Sequence, residues 1–88
     1  MTRTEVFDKV VKIITPFAPT SFRGALTEST HITDNLGVNS ARFVDIVLEL
    51  EDQFGISIDD SRMDKMDTIG DVVNEVISLI PVEAAPGD

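Results

Sequence analysis

The sequence predicts an all-α fold: a small four-helix bundle of three longer helices and one short one, with a long loop between the first and second. Three observations predict it. Apolar residues recur at one-, three- and four-residue steps almost throughout, which gathers them on one face of a helix. Capping residues and helix breakers stand at the ends of these periodic runs. The 88 residues, 42% of them hydrophobic, give a globular composition with room for one domain and one core. That domain is expected over residues 1–80, with residues 81–88 as a frayed acidic tail.

In the first helix Val6, Phe7, Val10, Val11, Ile13 and Ile14 share a face. Thr2 or Thr4 is placed to cap its start, and Pro16 stops it soon after Ile14. A stretch rich in Pro, Ser, Thr and Gly follows, from Thr15 to Asp34. Phe17, Phe22, Leu26 and Ile32 are expected to pin it to the core, and loops of this length are often functional.

The second helix is expected from Ser40 to Phe54. Phe43, Val47, Leu50 and Phe54 lie at steps of four, three and four and form one buried stripe. Val44 and Leu48 are expected to widen that stripe on one side, and Ile46 on the other. Opposite lie Asp45, Glu49 and Asp52, with Glu51 at the edge of the same face. Gly55 is suited to end the helix in a left-handed conformation. Ile56-Ser57-Ile58 alternates like a strand but is too short to pair, so it reads as an extended connector. A short third helix is expected around Asp60 to Met66, with Met63 and Met66 one turn apart. In the last helix Thr68 and Asp71 have the spacing of a capping box, with aspartate in place of the usual glutamate. Ile69, Val72, Val73, Val76, Ile77 and Ile80 form its apolar face, and Pro81 ends it.

The composition excludes several functions. Without cysteine there is no disulfide framework, thiolate zinc site or cysteine nucleophile. A formal net charge of -9 argues against nucleic acid and anionic membrane surfaces, and favours partners with basic patches. The start, Met1-Thr2-Arg3-Thr4, does not read as a signal peptide, and no segment is apolar enough to span a bilayer. A cytoplasmic monomer is expected. His31 is the single histidine, and no acid, base and nucleophile converge on it, so the chain does not read as an enzyme. Asp59, Asp60, Asp64 and Asp67 cluster near the third helix but lack the calcium-loop spacing and its central glycine. They read as a solvated helix start, and no metal is expected.

The most informative stretch is Asn35-Leu36-Gly37-Val38-Asn39-Ser40. It puts a serine hydroxyl at the mouth of an acidic amphipathic helix, just after a glycine that can turn the chain. A helix N-terminus offers free N–H groups and a positive dipole end, so a covalently attached phosphate is well placed there. On spacing alone Ser40 reads first as an ordinary N-cap.

The run Asp34-Asn35-Leu36-Gly37-Val38-Asn39-Ser40 resembles the acidic residue, Leu, Gly, any residue, Asp, Ser, Leu pattern of acyl carrier proteins. The continuation from Phe43 to Ile56 is similar to that family's acidic second helix and its exit. Met66-Asp67-Thr68-Ile69-Gly70-Asp71-Val72 resembles the entry to its fourth helix. The resemblance covers roughly Val6 to Leu79. It implies that a phosphopantetheinyl transferase attaches phosphopantetheine from coenzyme A to Ser40, and that the arm's thiol holds an acyl or aminoacyl group as a thioester. Such a protein is no catalyst; it presents intermediates to acyl-loading and acyl-transferring enzymes. Gly37 then lets the backbone turn so that Ser40 projects outward. Asp45, Glu49, Glu51 and Asp52 become a docking surface for basic patches, with Glu49 replacing a residue that is often small. Met63 and Met66, with Phe54, Ile58 and Val72, are candidates to line an acyl-holding cavity.

Three adjacent positions depart from the family pattern. Asn39 stands for the usual aspartate, Ala41 for leucine, and Arg42 for an acidic or polar residue. Asn39 keeps the capping ability without the charge. Arg42 is unfavourable in a first helical turn on dipole grounds, a cost that pairing with a phosphodiester on Ser40 would offset. The departures point to a dedicated polyketide, unusual fatty-acid or aminoacyl pathway rather than a housekeeping one. They also leave an alternative: an unmodified carrier-fold protein acting as an acidic interaction module.

Overall fold

The computed structural model describes residues 2–18 and 26–80. Its helices are α1 (Arg3–Ile14), α2 (Ser40–Phe54), α3 (Asp60–Met63) and α4 (Ile69–Leu79), with a single 3-10 turn at Thr15–Phe17. The expected helical class is the one found. Among the described residues the only strand-like pairing is an isolated antiparallel bridge between His31 and Thr68. Phe22, Pro81 and the expected tail over residues 81–88 lie outside the described residues.

Each long helix begins at a side-chain cap. Thr2, not Thr4, caps α1: its hydroxyl accepts the Glu5 amide at 3.1 Å, and the Glu5 carboxylate accepts the Thr2 amide at 2.7 Å. Thr68 and Asp71 make the same reciprocal pair at α4. Aspartate therefore serves where a longer glutamate is usual. At the far end of α2, Gly55 adopts φ 66. Its left-handed turn lets the Ile56 amide return at 3.1 Å to the Glu51 carbonyl, which also accepts the Gly55 amide, and so closes the last turn.

The apolar faces meet in one core, where Val6, Val10, Ile14, Ile46, Leu50, Ile69, Val72, Val73 and Val76 are all fully buried. α1 packs mainly against α4 and also against α2. The Lys9 ammonium sits 5.0 Å from the centre of the Phe54 ring and 3.4 Å from the Gln53 carbonyl. It thus places a cation at the negative end of the α2 dipole.

The first loop is held by more than its apolar anchors. Ile32 is fully buried, and Phe17 and Leu26 pack against the core. The loop backbone also crosses the start of α4. The Ile69 amide donates to Thr30 O at 3.0 Å, Gly70 to Glu28 O at 2.8 Å, and Ile32 to Asp67 O at 2.9 Å. Free amides of the first turn of α4 are thereby given acceptors by the loop. Arg3 closes the arrangement by pairing with the Glu28 carboxylate, its Nε at 3.0 Å.

Two expectations are corrected. α3 ends at Met63, not Met66. The amides of Lys65 and Met66 turn back to carbonyls only three residues earlier, which tightens the chain and drops Met66 into the core. Val44 and Leu48 do not widen the buried stripe; they are 43% and 57% exposed. At about 100° per residue, Leu48 stands about 200° around the helix from Leu50, which turns it toward solvent.

Candidate functional site

The approach to α2 is a compact series of turns. Gly37, at φ 68, sends its amide back to Thr33 O at 3.0 Å, and the Val38 amide reaches Ile32 O at 3.2 Å. The Asn35 side chain accepts the His31 amide at 2.7 Å. Leu36 and Val38 are buried on either side of the glycine, which fixes the turn to the core. A left-handed φ between two anchored side chains is a position that favours glycine.

Asn39, and not Ser40, is the N-cap. Its side-chain oxygen accepts the Arg42 amide at 2.9 Å, and its carbonyl accepts the Phe43 amide at 2.9 Å. Ser40 is therefore the first residue within α2. It is exposed, and its hydroxyl has no hydrogen-bond partner among the described residues. The Ser40 and Ala41 amides likewise have no protein acceptor there. A free hydroxyl beside two free amides at the positive end of a helix fits an esterified phosphate.

Ser40 stands on the edge of a groove of about 240 Å3 between α2, α3 and the first loop. Ile32, Phe43 and Met66 are its buried lining residues, and Val44 and Met63 line it nearer solvent. Of the residues expected to line an acyl-holding cavity, Met63 and Met66 line this groove. Phe54, Ile58 and Val72 do not join them. Ile58 and Val72 belong to the core, and Phe54 lies under Lys9.

Asp45, Glu49 and Asp52 are exposed along α2, as is Arg42. Arg42 pairs with no carboxylate among the described residues. Two residues along a helix are about 200° apart, so Arg42 is turned away from Ser40 and toward the side bearing Asp45 and Glu49. Glu49 also accepts from the Gln53 side chain at 3.2 Å and borders a wider groove between α1 and α2, beside Lys9 and Lys12. Glu51 differs from the other three acids. It is half-buried, and its carboxylate accepts the Ile58 amide at 2.6 Å, tying the connector to α2.

Asp59 caps α3 through the Ser61 amide, and no group of three or more metal-ligating side chains forms among the described residues. His31 is exposed, with Nδ1 3.9 Å from Asp34. Glu75 is a charged residue that the sequence reasoning missed. Its side chain is 10% exposed and binds Arg62 of α3 through three contacts of 2.9, 3.2 and 3.3 Å. The Arg62 guanidinium is held above its ordinary pKa by this hydrogen bonding and by the carboxylate charge. The available signal was a lone glutamate beside the apolar face of α4.

The family model described as a phosphopantetheine attachment site matches residues 23–76. The chain is 35% identical over 74 residues to the acyl carrier protein of Thermotoga maritima, covering 84% of this chain and 90% of that one. Its fold matches a solved structure of the acyl carrier protein from Enterococcus faecalis with a TM-score of 0.70. That match is 38% identical in sequence and covers 89% of this chain and 98% of the other. The helical bundle agrees with that solved structure, and the chain belongs to the acyl carrier proteins, non-enzymatic carriers of covalently attached phosphopantetheine.

Proposed function

We propose that Ser40 is the attachment residue and that the chain is a stand-alone carrier of acyl or aminoacyl intermediates in a dedicated polyketide, fatty-acid or related pathway. One observation carries this reading: the exposed, unpartnered Ser40 hydroxyl at the first position of α2, with helix capping already performed by Asn39. In the attachment step the Ser40 oxygen bonds to the phosphorus of coenzyme A that bears the pantetheine. The pyrophosphate bond to the adenosine bisphosphate breaks, and the serine proton passes to the transferase. The bound arm supplies a thiol that holds cargo as a thioester. Gly37 and Asn39 shape the turn that presents the serine.

Asp45, Glu49 and Asp52 form the electrostatic part of the docking face, and exposed Val44 and Leu48 form its apolar part. Partners are a phosphopantetheinyl transferase and acyl-handling enzymes with basic patches. Arg42 adds a cation at the Ser40 end of this face, suited to an acidic group on a dedicated partner. The carrier is read as a monomer working in the cytoplasm; among the described residues no helix is long and apolar enough to cross a membrane.

Intact-protein mass spectrometry tests the reading. The wild type and Ser40→Ala are incubated with coenzyme A and a broad-specificity phosphopantetheinyl transferase. A gain of one phosphopantetheine in the wild type alone is expected. No gain, with the host transferase as well, would favour an unmodified interaction module, in which Asn39 and Ala41 have ended modification.

A further inference from the structure

α3 has four residues, too few to hold a helix by its own hydrogen bonds. Its position therefore depends on ties to its neighbours. Ile58 before it and Met66 after it are buried at 6% exposure each. Between these anchors, the hydrogen bonds that residues 59–65 make to other helices of the described chain are those from Arg62 to Glu75. Glu75 lies on α4, and its carboxylate is nearly withdrawn from water. A buried carboxylate with a bidentate guanidinium partner holds that partner firmly, because separation leaves the charge unpaired. The piece it holds is one wall of the groove beside Ser40, through Met63 and Met66.

We propose that Arg62 and Glu75 are positioning residues that hold α3 against α4, keep the groove narrow, and so limit the length of cargo chain that enters beside Ser40. The inference rests on Ser40 being the attachment residue. A long chain displaces α3 as it enters, and the ion pair opposes that displacement. A short acyl group does not reach α3 and is indifferent to it. Weakening the pair raises the open population, and a chain that binds only the open state gains apparent affinity in proportion.

The test compares wild type with Glu75→Gln, which keeps the side-chain volume and removes the charge. Each is converted with acetyl- or octanoyl-coenzyme A, and cleavage of each thioester by hydroxylamine is timed. The carbon-13 methyl resonances of Met63 and Met66 are recorded alongside. In Glu75→Gln the octanoyl-to-acetyl ratio of cleavage rates is expected to fall by about threefold or more, as population shift requires. The Met63 and Met66 methyls should shift on octanoyl loading more than in the wild type. Arg62→Met with Glu75→Met restores an apolar contact across the same gap and should return the ratio to the wild-type value. A ratio equal to wild type in fully modified Glu75→Gln would overturn the proposal. So would failure of the double methionine variant to restore it. Absence of any mass gain in the wild type would instead remove the Ser40 reading, and this inference with it.

Discussion

The Asn39 side chain accepts the amide of Arg42 at 2.9 Å, spanning the first turn of α2 over Ser40. Structural and chemical roles are thereby divided between adjacent residues. Asn39→Ala should cost about 1 kcal/mol, the usual loss for an N-cap. Ser40→Ala replaces an exposed hydroxyl without a partner and should change stability by less than about 0.5 kcal/mol. Urea denaturation of both variants decides it. The reverse order of costs would make Ser40 structural and remove the division.

The docking face yields a charge-dependent prediction. Glu49→Lys and Asp52→Lys together should raise KM for loading enzymes several-fold, with kcat and circular dichroism unchanged. The effect should shrink with added salt, because exposed charges are screened beyond about 10 Å at 0.1 M ionic strength. Glu51→Gln should behave differently. Its carboxylate holds the Ile58 amide, so the variant should lose thermal stability while KM changes less. Equal KM effects from Glu51 and Asp52 would return Glu51 to the open face.

Most of the fold was legible because its signals are local. Apolar periodicity, the Thr68–Asp71 box and Gly55 each act within one or two turns. The left-handed turn at Gly37 and the exposed serine were legible for the same reason. What escaped the sequence depends on which elements become neighbours. Leu48 is apolar and was expected inside, yet it lies on the solvent side of α2 at 57% exposure. Glu51 reads as one acid among four until the connector returns to lie beside it. Arg62 and Glu75 are thirteen residues apart, and no helical spacing announces that pair. The loop carbonyls that receive the first amides of α4 are backbone groups, invisible to any reading of side-chain pattern.

Stability should fall in acid, and Asp71 accounts for part of the fall. Its carboxylate accepts the amides of Thr68 at 3.1 Å and Asp67 at 3.0 Å. The Thr68 amide is the main cause of a pKa below the ordinary aspartate value, with burial opposing it. Glu28 is lowered by its hydrogen bond from Arg3, and Glu5 by the Thr2 amide. A carboxylate whose pKa is lower in the folded state stabilises it fully above the unfolded value, near 4. That contribution is lost as pH falls through the folded value. Asp71→Asn should therefore flatten the stability profile below about pH 4 and lower the plateau above it. Urea midpoints across this range would show it; parallel profiles would mean that Asp71 does not carry the acid sensitivity.

Gly70 offers the sharpest test of how the first loop is seated. A Cβ there would lie 2.9 Å from the Glu28 carbonyl oxygen and 3.1 Å from the Glu28 Cβ. The same carbonyl accepts the Gly70 amide at 2.8 Å, so it cannot retreat without losing that bond. Alanine improves helix propensity by about 1 kcal/mol, whereas overpacking costs about 1–3 kcal/mol. Gly70→Ala should therefore be destabilising, and it should loosen Glu28 from Arg3. Gly55→Ala is the control. Nothing lies within 4 Å of its would-be Cβ, but its φ of 66 is left-handed, so it should cost about 1–2 kcal/mol through backbone strain alone. A double-mutant cycle separates the two mechanisms. Arg3→Ala should cost less in the Gly70→Ala background than in wild type, because the ion pair is already weakened. In the Gly55→Ala background its cost should be unchanged. Additive costs in both backgrounds would mean that the loop moves with α4 rather than being pushed from it.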